Sequence, residues 1–184
     1  CLSRGLGDVY KRQVVIATGS GNQGITASVP VIRYAKHIGA SDERLYRALL
    51  VSDLVTIHQK TGIGRLSAYC GAVSAGCGAG AGIAYLLGGD YRAIAHTIVN
   101  AVAILSGTIC DGAKPSCAAK IASAVEAGIL GYYMYVNDQQ FRGGDGIVAK
   151  GVENTIRNVG LLASQGMKQT DRVILNIMTG DQCL

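Results

Sequence analysis

The stretch GAVSAGCGAGAGIAYLLGG, residues 71–89, carries no charge and is built mostly from glycine and alanine. No other feature restricts the fold of this 184-residue chain as strongly. Its length raises the question of a membrane span. Glycine and alanine, however, supply little transfer energy, and no aromatic belt or flanking cluster of cations marks an interface. Small side chains at this density let another backbone, or a bound group, come close. The stretch therefore predicts a buried, tightly packed helix and no membrane helix.

The neighbouring segments also read as helical. Residues 41–60 place Leu45, Leu49, Leu50, Leu54 and Ile57 at helical spacing, with Ser41 as the N-cap. Residues 91–106 repeat the pattern through Ile94, Ile98, Val102 and Leu105. A third helix is expected over 115–135, where Pro115 sits in the first turn and its missing N–H is harmless. Residues 137–146 form a polar turn region, and two further helices are expected at about 148–163 and 168–178. Strand alternation is sparse, and only residues 14–17 resemble an extended run. The expected fold class is mainly α: a compact helical domain with glycine-rich loops and little or no β.

Residues 1–13, CLSRGLGDVYKRQ, have no apolar period and stop abruptly before VVIATGSGNQG. Residues 8–13 can be encoded by a transposon end used in sequencing libraries, and residues 3–7 by the adjoining adapter. We read 1–13 as a non-native scar, which leaves 14–184 as part of a longer protein. Arg4, Lys11, Arg12 and Asp8 supply a net +2 of the formal +5, and the remaining +3 is dispersed without aromatic interleaving. That pattern carries no nucleic-acid footprint. Apolar residues make up 49% and charged residues 16%, which argues against disorder. Cys70, Cys77, Cys110 and Cys117 lie in apolar Gly/Ala surroundings. A reducing, cytoplasmic setting is expected, with these cysteines as core residues or metal ligands.

The segment GTICDGAKPSC places Cys110 and Cys117 on either side of Gly112 and Pro115, which break any helix between them. A loop should run into a helix starting near Pro115, with Cys117 in the first turn, where N–H groups and the dipole favour a thiolate. Cys110 is expected to end the preceding helix and turn back, while Cys70 arrives from a separate glycine-rich segment. Zinc favours four ligands in paired Cys-x-x-Cys units, and neither unit is present. Thiolates without histidine at these spacings suit an iron–sulfur cluster better. On spacing alone, ordinary buried thiols remain the alternative. Cys77 reads as a core thiol or a neighbour of the site, and Cys183 as a tail residue.

Ser20, Gly21, Asn22, Gln23 and Gly24 form a glycine-rich polar segment, expected as a loop, that could seat a carboxylate or phosphate. A plain polar turn is the rival reading, and the spacing matches neither a Walker loop nor a dinucleotide fingerprint. His37, His58 and His96 are isolated and read as surface or hydrogen-bonded residues. Lys114, between two of the thiols, could balance cluster charge, pair with a substrate carboxylate, or be solvated.

SGNQGITASVPVI at 20–32, IGRLSAYCGAVSAGCGAGAG at 63–82 and GTICDGAKPSCAAKIASAVEAGILG at 107–131 together resemble the L-cysteine desulfidase family. That family is related to the α-chain of iron–sulfur L-serine dehydratases. The resemblance implies a helical catalytic domain of an iron–sulfur lyase, of which residues 14–184 would be the C-terminal part. It implies a [4Fe-4S] cluster on Cys70, Cys110 and Cys117, with no pyridoxal phosphate. It also implies β-elimination to pyruvate and ammonia, with sulfide released from cysteine or water from serine. Ser20, Gly21, Asn22, Gln23 and Gly24, with Lys114, would bind the amino-acid substrate. The catalytic base is unassigned and would come from an absent N-terminal part. The short interval between Cys110 and Cys117 departs from the serine dehydratase pattern and favours the desulfidase branch. A non-catalytic metal-binding module is the rival outside enzymes. Expected partners are a small amino acid, that N-terminal part and, as an option, a second copy of the chain, with neither nucleic acid nor membrane.

Overall fold

A computed structural model describes residues 16–17, 19–64 and 67–180. Residues 1–13, half of the 14–17 run, and Cys183 therefore lie outside the described residues. Among the described residues seven α-helices follow one another: α1 (Gly21–His37), α2 (Asp42–Ile63), α3 (Gly71–Leu86), α4 (Tyr91–Leu105), α5 (Ser116–Val136), α6 (Val152–Leu161) and α7 (Lys168–Thr179). A π-helical turn, Leu162–Gly166, joins the last two. The described residues contain no strand, only an isolated antiparallel bridge between Tyr69 and Ile109. The mainly α fold class expected from the sequence is the one observed.

α3 is the axis of the fold, packed against α1, α2, α4 and α5, and nearly every residue on it is buried. Its glycines fall in two rows four residues apart, and each row serves a different neighbour. A Cβ on Gly76 would stand 2.5 Å from the Ala124 carbonyl, and one on Gly80 2.6 Å from the Gly128 Cα, so this row lies against α5. A Cβ on Gly78 would collide with Thr56 Oγ1, and one on Gly82 would meet the Ala48 carbonyl at 2.8 Å, so the other row lies against α2. No helix among the described residues is long and apolar enough to cross a membrane.

Close approach also decides which face of α2 is buried. Ala48, Ser52 and Thr56 are buried against α3. Ser52 donates to the Ala27 carbonyl on α1 at 2.7 Å, and Thr56 to the Ser52 carbonyl at 2.8 Å, so both hydroxyls are satisfied. Leu45 and Leu49 pack at the margin of the core. Leu50, Leu54 and Ile57 are exposed, although their spacing reads as a buried stripe. A glycine surface accepts small side chains, and branched ones would hold the helices apart. The helix at 91–106 follows its expected face, with Ile98 and Val102 buried and Ile94 and Leu105 packed beside them.

Register along these contacts gives direction. Gly76 meets Ala124 and Gly80 meets Gly128, so α3 and α5 run parallel. Gln23 meets Gly71 and Val31 meets Gly82, so α1 runs parallel to them as well. α1, α3 and α5 thus begin at the same end of the molecule.

Gly80→Val should lower stability by about 3 kcal/mol or more in urea unfolding, because the obstructing atoms are backbone and cannot rotate away. Gly107→Ala, with nothing within 4 Å of the added carbon, should stay within about 0.5 kcal/mol of wild type.

Candidate metal centre

Where the three parallel helices begin, a cavity of about 80 Å³ is lined by Cys70, Cys110 and Cys117 together with Ser20, Asn22 and Lys120. Ser20 is the N-cap residue of α1, Cys70 that of α3, and Cys117 lies in the first turn of α5. None of these three helices has a side-chain cap, whereas α2 and α4 are capped by Ser41 and Asp90. Uncapped N–H groups and the positive ends of three helix dipoles therefore face one small space, which favours bound negative charge.

Cys110 reaches this point from a loop. α4 ends at Leu105, five residues earlier than a thiol at its terminus would require. The Cys110 N–H donates to the Ala68 carbonyl at 2.6 Å, and the Cys70 N–H to the Thr108 carbonyl at 3.1 Å. These bonds flank the Tyr69–Ile109 bridge and bring the two thiols to the same cavity. Beyond Cys110 the expected loop runs into α5. The Lys114 N–H donates to Cys117 Sγ at 3.4 Å, and the Cys117 thiol to the Gly112 carbonyl at 3.5 Å.

The other predicted residues divide. Gly21, Asn22, Gln23 and Gly24 are the first turn of α1 and not a loop, because the helix starts directly after Ser20 and continues through Pro30. Ser20 and Asn22 line the cavity. Gln23 is buried, and its side-chain amide occupies the space above Gly71. Gly21 and Gly24 are not among the cavity residues. Lys114 is turned to Asp111. Lys120 takes the place at the cavity, its ammonium donating to Asp111 at 2.8 Å and to the Ile109 carbonyl at 2.9 Å. It lies three residues after Cys117 on α5, so helical periodicity is the signal that could have found it. Lys60, buried at the end of α2, was also missed. Burial disfavours its charge, while thiolate charge on Cys110 and Cys70 favours it.

The electrostatics separate the thiols. Cys110 is pulled down to about 5, chiefly because its thiolate accepts a hydrogen bond from Cys70, with the Gly112 N–H and Lys120 adding to the effect. Cys70 is pushed up, first by that same bond and then by burial. Burial raises Cys77 to about 12, and this thiol sits in the core away from the cavity lining, an inert position. Lys114 and Lys120 together hold the Asp111 carboxyl down at about 2. His58 is exposed and 2.8 Å from Glu153, and His96 stacks on Tyr135, in keeping with surface or partnered roles.

Among the described residues, no three His, Cys, Asp or Glu side chains stand at the spacing of a single metal ion. The donor chemistry of the cavity still fits a thiolate-bound group, since its lining holds three thiols and neither carboxylate nor imidazole. In metal-free protein at pH 7, iodoacetamide should modify Cys110 ahead of Cys70 and Cys77, as read by peptide mass spectrometry. Cys70→Ala removes the thiol donor to Cys110, so the pH midpoint of Cys110 modification should rise from about 5.

A UPF0597 protein of Desulfitobacterium hafniense (strain Y51) is 69% identical over 170 residues, covering 92% of this chain and 39% of that protein. A UPF0597 protein of Treponema denticola is 52% identical over 168 residues, covering 91% of this chain and 39% of its own length. One from Bacteroides fragilis (strain ATCC 25285) is 46% identical over 170 residues, covering 92% and 40%. The chain thus spans about two-fifths of the length of these curated relatives. No solved structure matches. The family described as serine dehydratase alpha chain matches residues 9–176, a span that takes in all three thiols and the helix starts around them. The chain belongs to the serine dehydratase alpha chain family.

Proposed function

We propose that this chain is the cluster-bearing part of an iron–sulfur amino-acid lyase, which eliminates the β-substituent of L-cysteine to give pyruvate, ammonia and sulfide. The observation that carries the reading is the meeting of Cys70, Cys110 and Cys117 at one cavity, beside Ser20 and Asn22. A single ion would need its donors closer together. A four-iron cluster takes one thiolate per iron, so its ligands stand further apart. Bound through three thiolates, a [4Fe-4S] cluster keeps one iron free of protein ligands and supplies a Lewis acid for a poor leaving group.

The chain's own groups do the rest. Cys70, Cys110 and Cys117 hold the cluster as thiolates. The three uncapped helix starts and Lys120 offset that negative charge. Asp111 and the Ile109 carbonyl fix Lys120 at the edge of the cavity. Ser20 and Asn22 orient the amino acid by hydrogen bonds, and Gln23 supports the wall at Gly71. The short Cys110–Cys117 interval favours cysteine as substrate, while the family description favours L-serine as a second reading.

Anaerobic reconstitution of this chain should yield a brown protein with about four iron and four sulfide per chain. Cys70→Ala, Cys110→Ala and Cys117→Ala should each lose most of that iron. Iron contents equal to wild type in all three variants would sink the cluster assignment. The chain joined to the flanking sequence of its gene should then release equal amounts of sulfide and pyruvate from L-cysteine. Pyruvate from L-serine alone would transfer the assignment to the second reading.

A further inference from the structure

A second cavity, of about 470 Å³, shares no lining residue with the thiol cavity. It lies between the first turns of α4 and the loop that leads into α6. That volume is in the range of sites that enclose a whole small molecule. Its lining contains three cations, Arg92, Arg142 and Lys150, and no carboxylate. None of the three makes an ion pair among the described residues, although the Asp111 and Glu43 carboxylates elsewhere are all matched to cations.

Two buried polar atoms belong to this same wall. His96 Nδ1 and Gln140 Oε1 are shielded from solvent and have no hydrogen-bond partner. Orphaned atoms of this kind cost about 1–3 kcal/mol each unless something satisfies them. Burial, and then the nearby Arg92 charge, disfavour the imidazolium of His96. Val99 and Val148 give the floor an apolar patch, and Tyr91 and Phe141 add flat aromatic surface.

The wall is rigid where it matters. Asn100, buried on α4, donates to the Gly131 carbonyl of α5 at 3.0 Å and accepts the Phe141 N–H at 3.1 Å. Arg142 N–H donates to the Asp145 carboxylate at 2.7 Å, and the Gly144 N–H to the Val148 carbonyl at 3.0 Å. Thr155 accepts the Ala149 N–H at 3.1 Å. α6 begins beside the cavity after Gly151 with no side-chain cap, which adds N–H groups to the cationic side.

We propose that this cavity binds a nucleoside monophosphate. Its phosphate would meet Arg92, Arg142 and Lys150, and its base would lie against Tyr91 and Phe141. The assignment rests on groups outside the thiol cavity and stands independently of the lyase reading.

Isothermal titration of the chain with AMP, adenosine and inorganic phosphate tests it. AMP should bind, and adenosine and phosphate should each bind at least about tenfold more weakly, since each lacks one set of contacts. Arg92→Gln with Arg142→Gln should weaken AMP about tenfold or more while leaving thermal unfolding in place, because both side chains are exposed. No binding of AMP, binding no tighter than that of phosphate, or AMP binding unaffected by the double arginine variant would each overturn the proposal.

Discussion

Everything else in this structure depends on how closely α3 approaches its neighbours. Glycine rows on two sides of one helix leave backbone against backbone, with Gly76 and Gly80 on α5 and Gly78 and Gly82 on α2. Dispersion contacts at that range are dense, and they disappear if any Cβ is inserted. The consequence reaches past stability. Because the Gly76–Ala124 and Gly80–Gly128 contacts fix a parallel register, Cys70 and Cys117 come out at the same end of their helices. α1 joins in the same direction, which adds Ser20 and Asn22. The cavity is thus a by-product of packing register.

That arrangement also sets the electrostatics of the cavity. Parallel neighbours align their dipoles unfavourably, and three uncapped N-termini concentrate the effect at one point. Bound negative charge relieves it. A pair of backbone hydrogen bonds around the Tyr69–Ile109 bridge brings Cys110 into the same field. Lys120 adds positive charge from α5, and Asp111 holds it there. α2 and α4, which begin elsewhere, carry ordinary Ser and Asp caps. Among α1 to α5, the capped starts belong to helices that begin away from the cavity and the uncapped ones to those that build it.

The sequence by itself determined the helical class, most helix positions, the burial of nearly all of 71–86 within the 71–89 stretch, and the thiols and polar residues that meet at the cavity. These follow from local causes: periodicity, the Ser41 cap, the break at Gly112 and Pro115, and the charge-free Gly/Ala composition. Tertiary structure decided the rest. Leu50, Leu54 and Ile57 have the spacing of a buried stripe and face solvent, since only Ala48, Ser52 and Thr56 are small enough to meet α3. Gly21–Gly24 read as a loop from composition, yet packing of Gln23 against Gly71 holds them in the first turn of a helix. Lys120 displaced Lys114 at the cavity because helix direction, set by contacts far along α5, chooses which cation faces inward. Spacing names the groups available to a site. Which of them converge depends on contacts between residues distant in the chain, and local sequence carries no record of that geometry.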